Sequence, residues 1–152
     1  MNPKNPLSRI PRDALDEVLF NSLRSVHKFE IAKVARFGLN YEAIFLLQFL
    51  RRHSPAKMAE IAEEMNIPIS TATRMVDRIE ARGLISRKKD RKDKRIMLVS
   101  LKSKGEKIVR DVEEHTFEII SNNLDEFNED QIRSFIETAI HMERILCVRK
   151  DS

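Results

Sequence analysis

The sequence has little of what secreted domains, membrane proteins and cofactor-dependent enzymes need. It has one cysteine, Cys147, so no disulfide can form within the chain, and a reducing cytoplasm is the expected location. The longest apolar run, IFLL at 44–47, is far too short to span a membrane, and the N-terminus lacks the apolar region of a signal peptide. Three scattered glycines cannot form a glycine-rich cofactor loop, so we expect neither an enzyme nor a cofactor.

Metal and redox sites are also poorly supported by the sequence. No two of the four histidines lie three or four residues apart, which is the spacing that places two ligands on one helix face. His115 lies beside two glutamates, but a solvated or hydrogen-bonded histidine is the better interpretation. Cys147 lies among Ile145, Leu146 and Val148, which favours a packed or half-buried thiol over a redox sensor. We therefore expect no metal.

Positive charge is concentrated in one segment. Residues 86–107 contain ten lysines or arginines and three acidic residues, so the segment carries +7 while the rest of the chain carries −3. A surface that faces nucleic-acid phosphates needs such a concentration. The alternative for a charge run considered by itself is a solvated loop.

Hydrophobic periodicity predicts a mostly helical chain with one extended interruption. Gly38 is expected to end the first helix, Asn40 to cap the second, and Gly83 to end the fourth. The strongly polar stretch DRKDKR at 90–95, flanked by apolar residues, suits the tip of a β-hairpin. The predicted helices begin near residue 12, run from 40 to about 53, from about 56 to 65 and from about 69 to 82, begin again near 103, and run from about 129 to 148.

This order predicts a flexible N-terminal arm over 1–11 and a single domain over 12–152. Within that domain, a winged helix-turn-helix lobe occupies about 40–100. The terminal helices, about 12–35 and 108–148, carry apolar stripes that the compact middle lobe does not need. We expect those stripes to pack on each other and on a second copy of the chain, which makes a homodimer.

The helix over 69–82 combines an apolar back with a short polar or basic front, which is what a helix in the major groove of DNA requires. An ordinary amphipathic surface helix has the same pattern, so the helix alone does not decide between the two. A basic hairpin directly after it favours DNA, because a wing can follow the backbone into the adjacent minor groove. The candidate DNA contacts are Ser70, Thr71, Thr73, Arg74 and Arg78 on the helix, and Arg87, Lys88, Arg91, Lys92, Lys94 and Arg95 on the wing.

The stretches AEIAEEMNIPISTATRMVDRIEARGLISRKKDRKDKR and IMLVSLKSKGEKIV resemble the MarR (multiple antibiotic resistance regulator) family, and the resemblance extends over about 12–148. The family's wing signature D-x-R-D-x-R is occupied by Asp90, Lys92, Asp93 and Arg95. The resemblance implies that Asp90 pairs with Arg95 to brace the wing and that Lys92 enters the minor groove. Lys92 replaces the usual arginine and lacks its planar fork.

Two further departures concern helix starts. Pro68 stands where the family often has a serine or threonine cap, and Lys102 stands where it usually has threonine. Proline suits a first helical turn, so the helix after Pro68 is expected to survive with a shifted start. Ser103 is expected to take over the capping that Lys102 cannot provide.

The resemblance also implies a small-molecule pocket between the dimerisation helices and the DNA-binding lobe, often for aromatic acids or phenols. His27 could anchor an acid, although the aromatic residues nearby can equally be ordinary core residues. The candidate effector-binding residues are His27, Phe29, Phe37, Tyr41 and Phe45.

The function predicted from the sequence is that of a cytoplasmic transcriptional regulator, associated with the nucleoid when it is bound to DNA. It would bind a pseudo-palindromic operator in double-stranded DNA as a homodimer, with no membrane partner, and act as a repressor released by a small ligand. The alternative is a DNA-binding or architectural protein with no effector.

Overall fold

The computed structural model describes residues 10–147, and the chain divides into two compact units, one ending at Val112 and the other beginning at Glu113. Most of the predicted arm over 1–11, and residue 148 of the predicted last helix, lie outside the described residues. The elements are α1 (Arg12–Phe37), α2 (Tyr41–His53), β1 (Ala56–Lys57), α3 (Met58–Glu64), α4 (Ile69–Ala81), β2 (Ile85–Lys89), β3 (Met97–Leu101), α5 (Ser103–Leu124), α6 (Glu129–Ala139) and α7 (Met142–Ile145).

The boundary between the first two helices is fixed by local chemistry that the sequence predicts. Gly38 ends α1 in the left-handed conformation, with φ of 60°, and its N–H donates to the carbonyl of Val34 at 3.0 Å. The Oδ1 atom of Asn40 accepts from the N–H of Ala43 at 3.0 Å and caps α2. Both predicted helix boundaries are therefore confirmed.

The first two residues of the predicted helix over 56–65 are in fact a strand. Ala56 and Lys57 pair with Val99 and Leu98 of β3, so the sheet has three antiparallel strands in the order β1-β3-β2. The N–H of Lys57 donates to the carboxylate of Glu60 at 2.8 Å, and the helix begins only after Lys57. The hairpin predicted on either side of 90–95 is confirmed, but the third strand is an addition to it.

The helix-turn-helix is built around a tight turn and a buried helix back. Asn66 occupies the left-handed region at φ of 51°, and the carbonyl of Pro68 accepts from the N–H groups of Thr71 and Ala72 at the start of α4. Gly83, at φ of 73°, follows the end of α4. The side chains of α4 that are buried in the core are Ala72, Met75, Val76 and Ile79.

The core of the first unit surrounds α2, which contributes five of its buried residues. The sheet adds Ala56, Ile85 and Val99, and α5 adds Val109 and Val112. Because α4 packs its back on this core, the rotation of the helix about its own axis is set, and so is the identity of the residues that face outward.

The predicted helix over 129–148 is interrupted. It begins at Glu129, where Asn128 and Gln131 form a reciprocal capping box, but α6 ends at Ala139 and a separate turn, α7, follows. At the interruption the N–H of His141 donates to the carbonyl of Thr138 at 3.0 Å, which is a tighter helical turn. Neither glycine nor proline lies there, so the sequence pattern gives no sign of the break.

Within residues 10–147, no helix is both long and apolar enough to cross a bilayer.

The start of α5 lies very close to the turn that follows α4. The N–H of Lys102 donates to the carbonyl of Leu84 at 2.9 Å, and Gly105 lies against that same carbonyl. A Cβ atom at position 105 would overlap the carbonyl oxygen of Leu84, which is a backbone atom and cannot rotate away. Gly105 is therefore required by close approach, not by its own backbone angles.

We expect Gly105→Ala to destabilise the protein by about 1–3 kcal/mol, because the overlap forces a backbone shift. This loss should exceed the gain of about 1 kcal/mol that alanine brings to a helix interior. Urea denaturation followed by circular dichroism measures the free energy of unfolding. Arg110→Ala, on the exposed side of the same helix, is the control and should stay within about 0.5 kcal/mol of the wild type. A Gly105→Ala variant as stable as the wild type would show that the close approach is not needed.

Candidate nucleic-acid interface

The outward side of α4 presents short polar side chains followed by arginines. Ser70, Thr71 and Arg74 are exposed, and Arg74 forms no ion pair among residues 10–147. The hydroxyl of Thr73 donates to the carbonyl of Ile69 at 2.8 Å, so this predicted contact is partly occupied by its own helix. The structure thus brings four of the five predicted helix residues together as an accessible surface, with Thr73 half-buried beside them.

Arg78, the fourth of these accessible residues, is exposed but has a partner. Its guanidinium lies 3.5 Å from the carboxylate of Glu42, and both side chains are more than half exposed. Such an exposed pair contributes little to stability, so it can exchange for a phosphate at small cost.

Ile69 was not among the predicted site residues, yet it is 56% exposed in the first turn of α4. The first turn of a recognition helix is the part that contacts base edges, where an apolar side chain can meet a thymine methyl group. The helical pattern carried no signal for this exposure, because Ile69 lies three residues before Ala72 and seven before Val76, a spacing that places it with the apolar stripe.

Arg87 is not positioned as a free wing cation, which differs from the sequence prediction. Its guanidinium lies 2.6 Å from a carboxylate oxygen of Asp77 and 2.7 Å from one of Glu80, and its backbone N–H donates to Glu80 at 2.9 Å. Burial lowers the pKa of Arg87, but the hydrogen bond to Glu80 and the charges of Glu80 and Asp77 outweigh it and raise the pKa overall. Arg87 therefore joins the wing to the helix before it.

The physical reason is strand alternation. Side chains of alternate residues point to the same face of a strand, and Arg87 is two residues after the buried Ile85 on β2. It is therefore directed towards the helix that packs on this face, whereas Lys88 is directed to the opposite face. Strand alternation, counted from the apolar residue Ile85, would have predicted from the sequence that the side chains of Arg87 and Lys88 lie on opposite faces of β2.

The wing tip is closed by Asp90, but not by the pairing that the family resemblance implies. The Oδ1 atom of Asp90 accepts from the N–H groups of Lys92 at 2.7 Å and of Asp93 at 2.9 Å. The guanidinium of Arg95 instead lies 3.1 Å from Asp93, and Arg95 is highly exposed. The Asp90 carboxylate is occupied by backbone donors, and Asp93 is the nearer acid along the chain, so the observed pair differs from the expected Asp90–Arg95 pair.

The cations of the wing form an exposed cluster around this ordered turn. Their exposure agrees with the surface expected of a phosphate-binding element, and Lys89, which was not predicted from the sequence, belongs to the same cluster. The exposed cations are Lys88, Lys89, Arg91, Lys92, Lys94 and Arg95.

Comparison with known proteins identifies the lobe. A sequence model of the MarR family matches residues 39–97, which include the helix-turn-helix and most of the wing. The chain is 38% identical over 69 residues to the HTH-type transcriptional repressor MdtR of Bacillus subtilis, an alignment that covers 45% of this chain and 44% of MdtR. Over this lobe the chain therefore resembles the MarR family. It spans about half the length of MdtR and of YfiV, another curated B. subtilis relative.

Solved structures share the fold beyond this lobe. A MarR family protein from Bacillus stearothermophilus superposes with a TM-score of 0.78 at 23% identity, over 87% of this chain and 92% of that protein. Streptococcus pneumoniae FabT, whose structure was determined in complex with DNA, gives a TM-score of 0.77 at 17% identity, over 90% and 97% of the two chains. At these identities the likeness shows the winged-helix fold.

The predicted effector residues are only partly brought together. A cavity of about 450 Å³ on α1 and the start of α2 is lined by His27 and Tyr41. Phe29 lies beneath the ammonium of Lys33, Phe37 packs against the core, and Phe45 contacts the ring of Tyr41 at 6.1 Å between centroids. The remaining lining residues are Leu23, Val26, Glu30, Ile31 and Val34.

The other two residues considered for sensing are His115 and Cys147. Among residues 10–147 no group of three or more histidine, cysteine, aspartate or glutamate side chains is arranged to hold a metal ion. Cys147 is exposed, so the expected packed or half-buried thiol is wrong. The reason is that Ile145 and Leu146 beside it are themselves exposed and give it no core to enter.

We expect acid to open the wing turn at a pH below the usual aspartate range. The two backbone hydrogen bonds lower the pKa of Asp90 below its ordinary value of 3.8, so the turn is stabilised above that value and loses this stabilisation as the pH falls through the lowered pKa. The amide shifts of Lys92 and Asp93, followed by NMR, should therefore titrate with a midpoint below 3.8.

Asp90→Asn is the control, because its side-chain oxygen can keep the turn while losing the titration. Asp90→Ala should shift both amides at all pH values. A wild-type midpoint at or above 3.8 would contradict the arrangement.

Proposed function

We propose that this protein is a transcriptional regulator that binds double-stranded DNA in a sequence-specific manner. The observation that carries the proposal is that one lobe holds two nucleic-acid-compatible surfaces side by side: the polar front of α4 and the basic wing. The names of curated relatives such as MdtR, and the FabT complex with DNA, support it.

In this proposal α4 enters the major groove and the wing follows the adjacent minor groove. Ser70, Thr73 and Arg74 are the candidates for reading bases, since short side chains allow close approach and arginine can bind guanine through two hydrogen bonds. Lys92 and Arg91 at the wing tip contribute phosphate and minor-groove contacts, where negative potential is strong. The cytoplasm, with association to the nucleoid, is the location that fits this function.

We propose further that the protein acts as a homodimer. Large apolar side chains lie open both on α1 in the first unit and on the helices of the second unit, and exposed apolar patches mark interaction sites. On α1 the exposed residues include Val18, Phe20, Leu23 and Val26, and between Glu113 and Cys147 they include Phe117, Phe135, Ile136, Ile140 and Ile145. A two-fold dimer would place two copies of α4 in successive major grooves on one face of the duplex.

The dimer can be tested by placing charge on this apolar surface. Phe135→Glu combined with Ile140→Glu should weaken self-association, because each carboxylate would lose its hydration in the interface. Sedimentation equilibrium at micromolar concentration measures the effect. Ser134→Glu, which adds a charge on the polar side of α6, is the control and should leave the assembly intact. A wild-type chain that is a well-folded monomer would sink the proposal.

A small effector is the less supported part of the function. The cavity that contains His27 and Tyr41 is mostly apolar and would suit a ligand with an aromatic body. To release DNA, such a ligand must bind more tightly to the conformation that does not fit the operator. A DNA-binding protein without effector is the alternative, and titration of small aromatic acids against the protein–DNA complex separates the two.

Selection from random-sequence duplexes tests DNA binding, and the bound sequences should be pseudo-palindromes with half-sites about 10–10.5 base pairs apart. Arg74→Ala should cost about 1–3 kcal/mol per half-site and flatten the preference at one base position. Lys92→Ala should weaken binding to all sequences and lower the salt slope by about one for each phosphate that the wing no longer binds.

Arg133→Ala is the control for these variants, since it removes one positive charge from the exposed ion pair with Glu129 on α6. If Lys92→Ala and Arg91→Ala together leave affinity and salt dependence unchanged, the wing does not lie on the DNA. Failure of the wild type to enrich any duplex would overturn the proposed function itself.

A further inference from the structure

We infer that Arg87 is a positioning residue for DNA recognition: it fixes the wing at a set angle to the recognition helix by bridging Asp77 and Glu80, and it does not itself bind phosphate. This inference rests on the proposed function and extends it to a residue that touches neither groove. It explains why two acidic side chains lie on the helix that faces a polyanion.

The bridge is built from three strong contacts in one place. The guanidinium reaches Asp77 at 2.6 Å and Glu80 at 2.7 Å, and the backbone N–H of Arg87 reaches Glu80 at 2.9 Å. Charge-assisted hydrogen bonds of this length are about twice as strong as neutral ones, and the planar fork of arginine fixes direction as well as distance. A lysine could not make both side-chain contacts with the same geometry.

Burial separates this bridge from the other ion pairs of the lobe. The Arg87 side chain is 27% exposed, whereas Arg78 in its pair with Glu42 is 67% exposed and Arg95 in its pair with Asp93 is 92% exposed. Exposed pairs are weak and exchange readily with solvent or phosphate. A partly buried arginine held by two carboxylates is instead committed to its partners, because removing it would leave two negative charges together.

The location of the bridge gives it a role beyond stability. Asp77 and Glu80 are on the second half of α4, and Arg87 is at the middle of β2, two residues before the strand ends at Lys89. The bridge therefore crosses from the element proposed for the major groove to the element proposed for the minor groove. Its length decides how far apart the two sets of DNA contacts lie.

Removing the acidic side chains of the bridge should change DNA affinity in opposite directions, depending on whether the bridge acts by charge alone or by positioning the wing. If only electrostatics mattered, removing Asp77 and Glu80 would strengthen DNA binding, because two negative charges leave a surface that faces phosphates. If Arg87 acts by positioning, removing either side of the bridge weakens specific binding. The double variant Asp77→Ala, Glu80→Ala is thus the decisive one, and alanine is well tolerated in a helix.

The experiment measures affinity and salt slope on a duplex selected from random-sequence DNA, with a scrambled duplex of equal length as the non-specific probe. Arg87→Ala and the Asp77→Ala, Glu80→Ala double variant should each lose about 2- to 150-fold in affinity for the selected duplex. Neither should lower the salt slope, whereas Lys92→Ala should lower it by about one for each phosphate that it binds. Arg87→Lys should restore only part of the loss.

The energetic coupling between Arg87 and Lys92 is the measurement that distinguishes a positioning role from a purely structural one. In the Arg87→Ala background the wing is no longer held in register, so Lys92→Ala should cost less than it does in the wild type. Additive losses would overturn the inference. A lower salt slope in Arg87→Ala would also overturn the inference. So would tighter binding of DNA by the Asp77→Ala, Glu80→Ala double variant, or an unchanged affinity in both variants.

Two controls test whether these effects are specific to Arg87 and whether each variant is folded. Glu42→Gln removes the carboxylate from the exposed pair with Arg78 and should change none of the couplings to Lys92. Thermal unfolding identifies a variant that fails to fold, in which case Arg87→Lys and the double variant decide the question. If the wild type enriches no duplex, the proposed function fails; if it binds and Arg87→Ala binds equally well, only the positioning role fails.

Discussion

The winged-helix lobe depends on the burial of one side of α4. Ala72, Met75, Val76 and Ile79 are almost fully enclosed, and together they fix both the axis of the helix and its rotation. The outward-facing residues of α4 and the position where the wing begins both depend on how α4 packs on the core. Ser70, Thr71 and Arg74 face outward together, because residues three and four apart share one side of a helix and this side lies opposite the buried one. Because the C-terminal end of α4 is held by this packing, the start of the wing that follows it is held as well.

Charge is arranged on this lobe in two different ways. At the wing tip, cations outnumber the acids, and the two aspartates there accept hydrogen bonds from the turn. At the base of the wing, Arg87 is matched by Asp77 and Glu80, so that its charge is used inside the protein. A net charge of +7 over residues 86–107 conceals this difference. The residues available to a polyanion are the exposed cations beyond Arg87, which are Lys88, Lys89, Arg91, Lys92, Lys94 and Arg95.

Helix boundaries and the order of the lobe could be predicted because they depend on local signals. Gly38, Asn40 and Gly83 act through their own backbone or side-chain geometry, which the sequence displays directly. The strand at Ala56 could not be found in this way, since two residues carry no periodicity and the strand exists only by pairing with β3. The break after α6 has no glycine or proline to announce it.

Side-chain partners were harder to predict than backbone structure. The family resemblance suggested Asp90 with Arg95, and the structure gives Asp93 instead, because the Asp90 carboxylate is used by two backbone N–H groups. Of the five aromatic and histidine residues proposed for an effector, His27 and Tyr41 line the cavity, and which aromatic rings face a cavity depends on packing that no motif records.

The closed turn at Asp90 has a consequence for how the wing meets a duplex. A six-residue polar loop would ordinarily lose much conformational freedom on binding, at about 1–2 kcal/mol for each residue that becomes ordered. Here the carboxylate of Asp90 has already ordered the backbone of the turn during folding, by accepting from the N–H groups of Lys92 and Asp93. The cations are therefore carried on a preorganised backbone array that has little backbone entropy left to lose. Such an array gains affinity for a groove of matching width and has little capacity to adapt to a groove that differs from it.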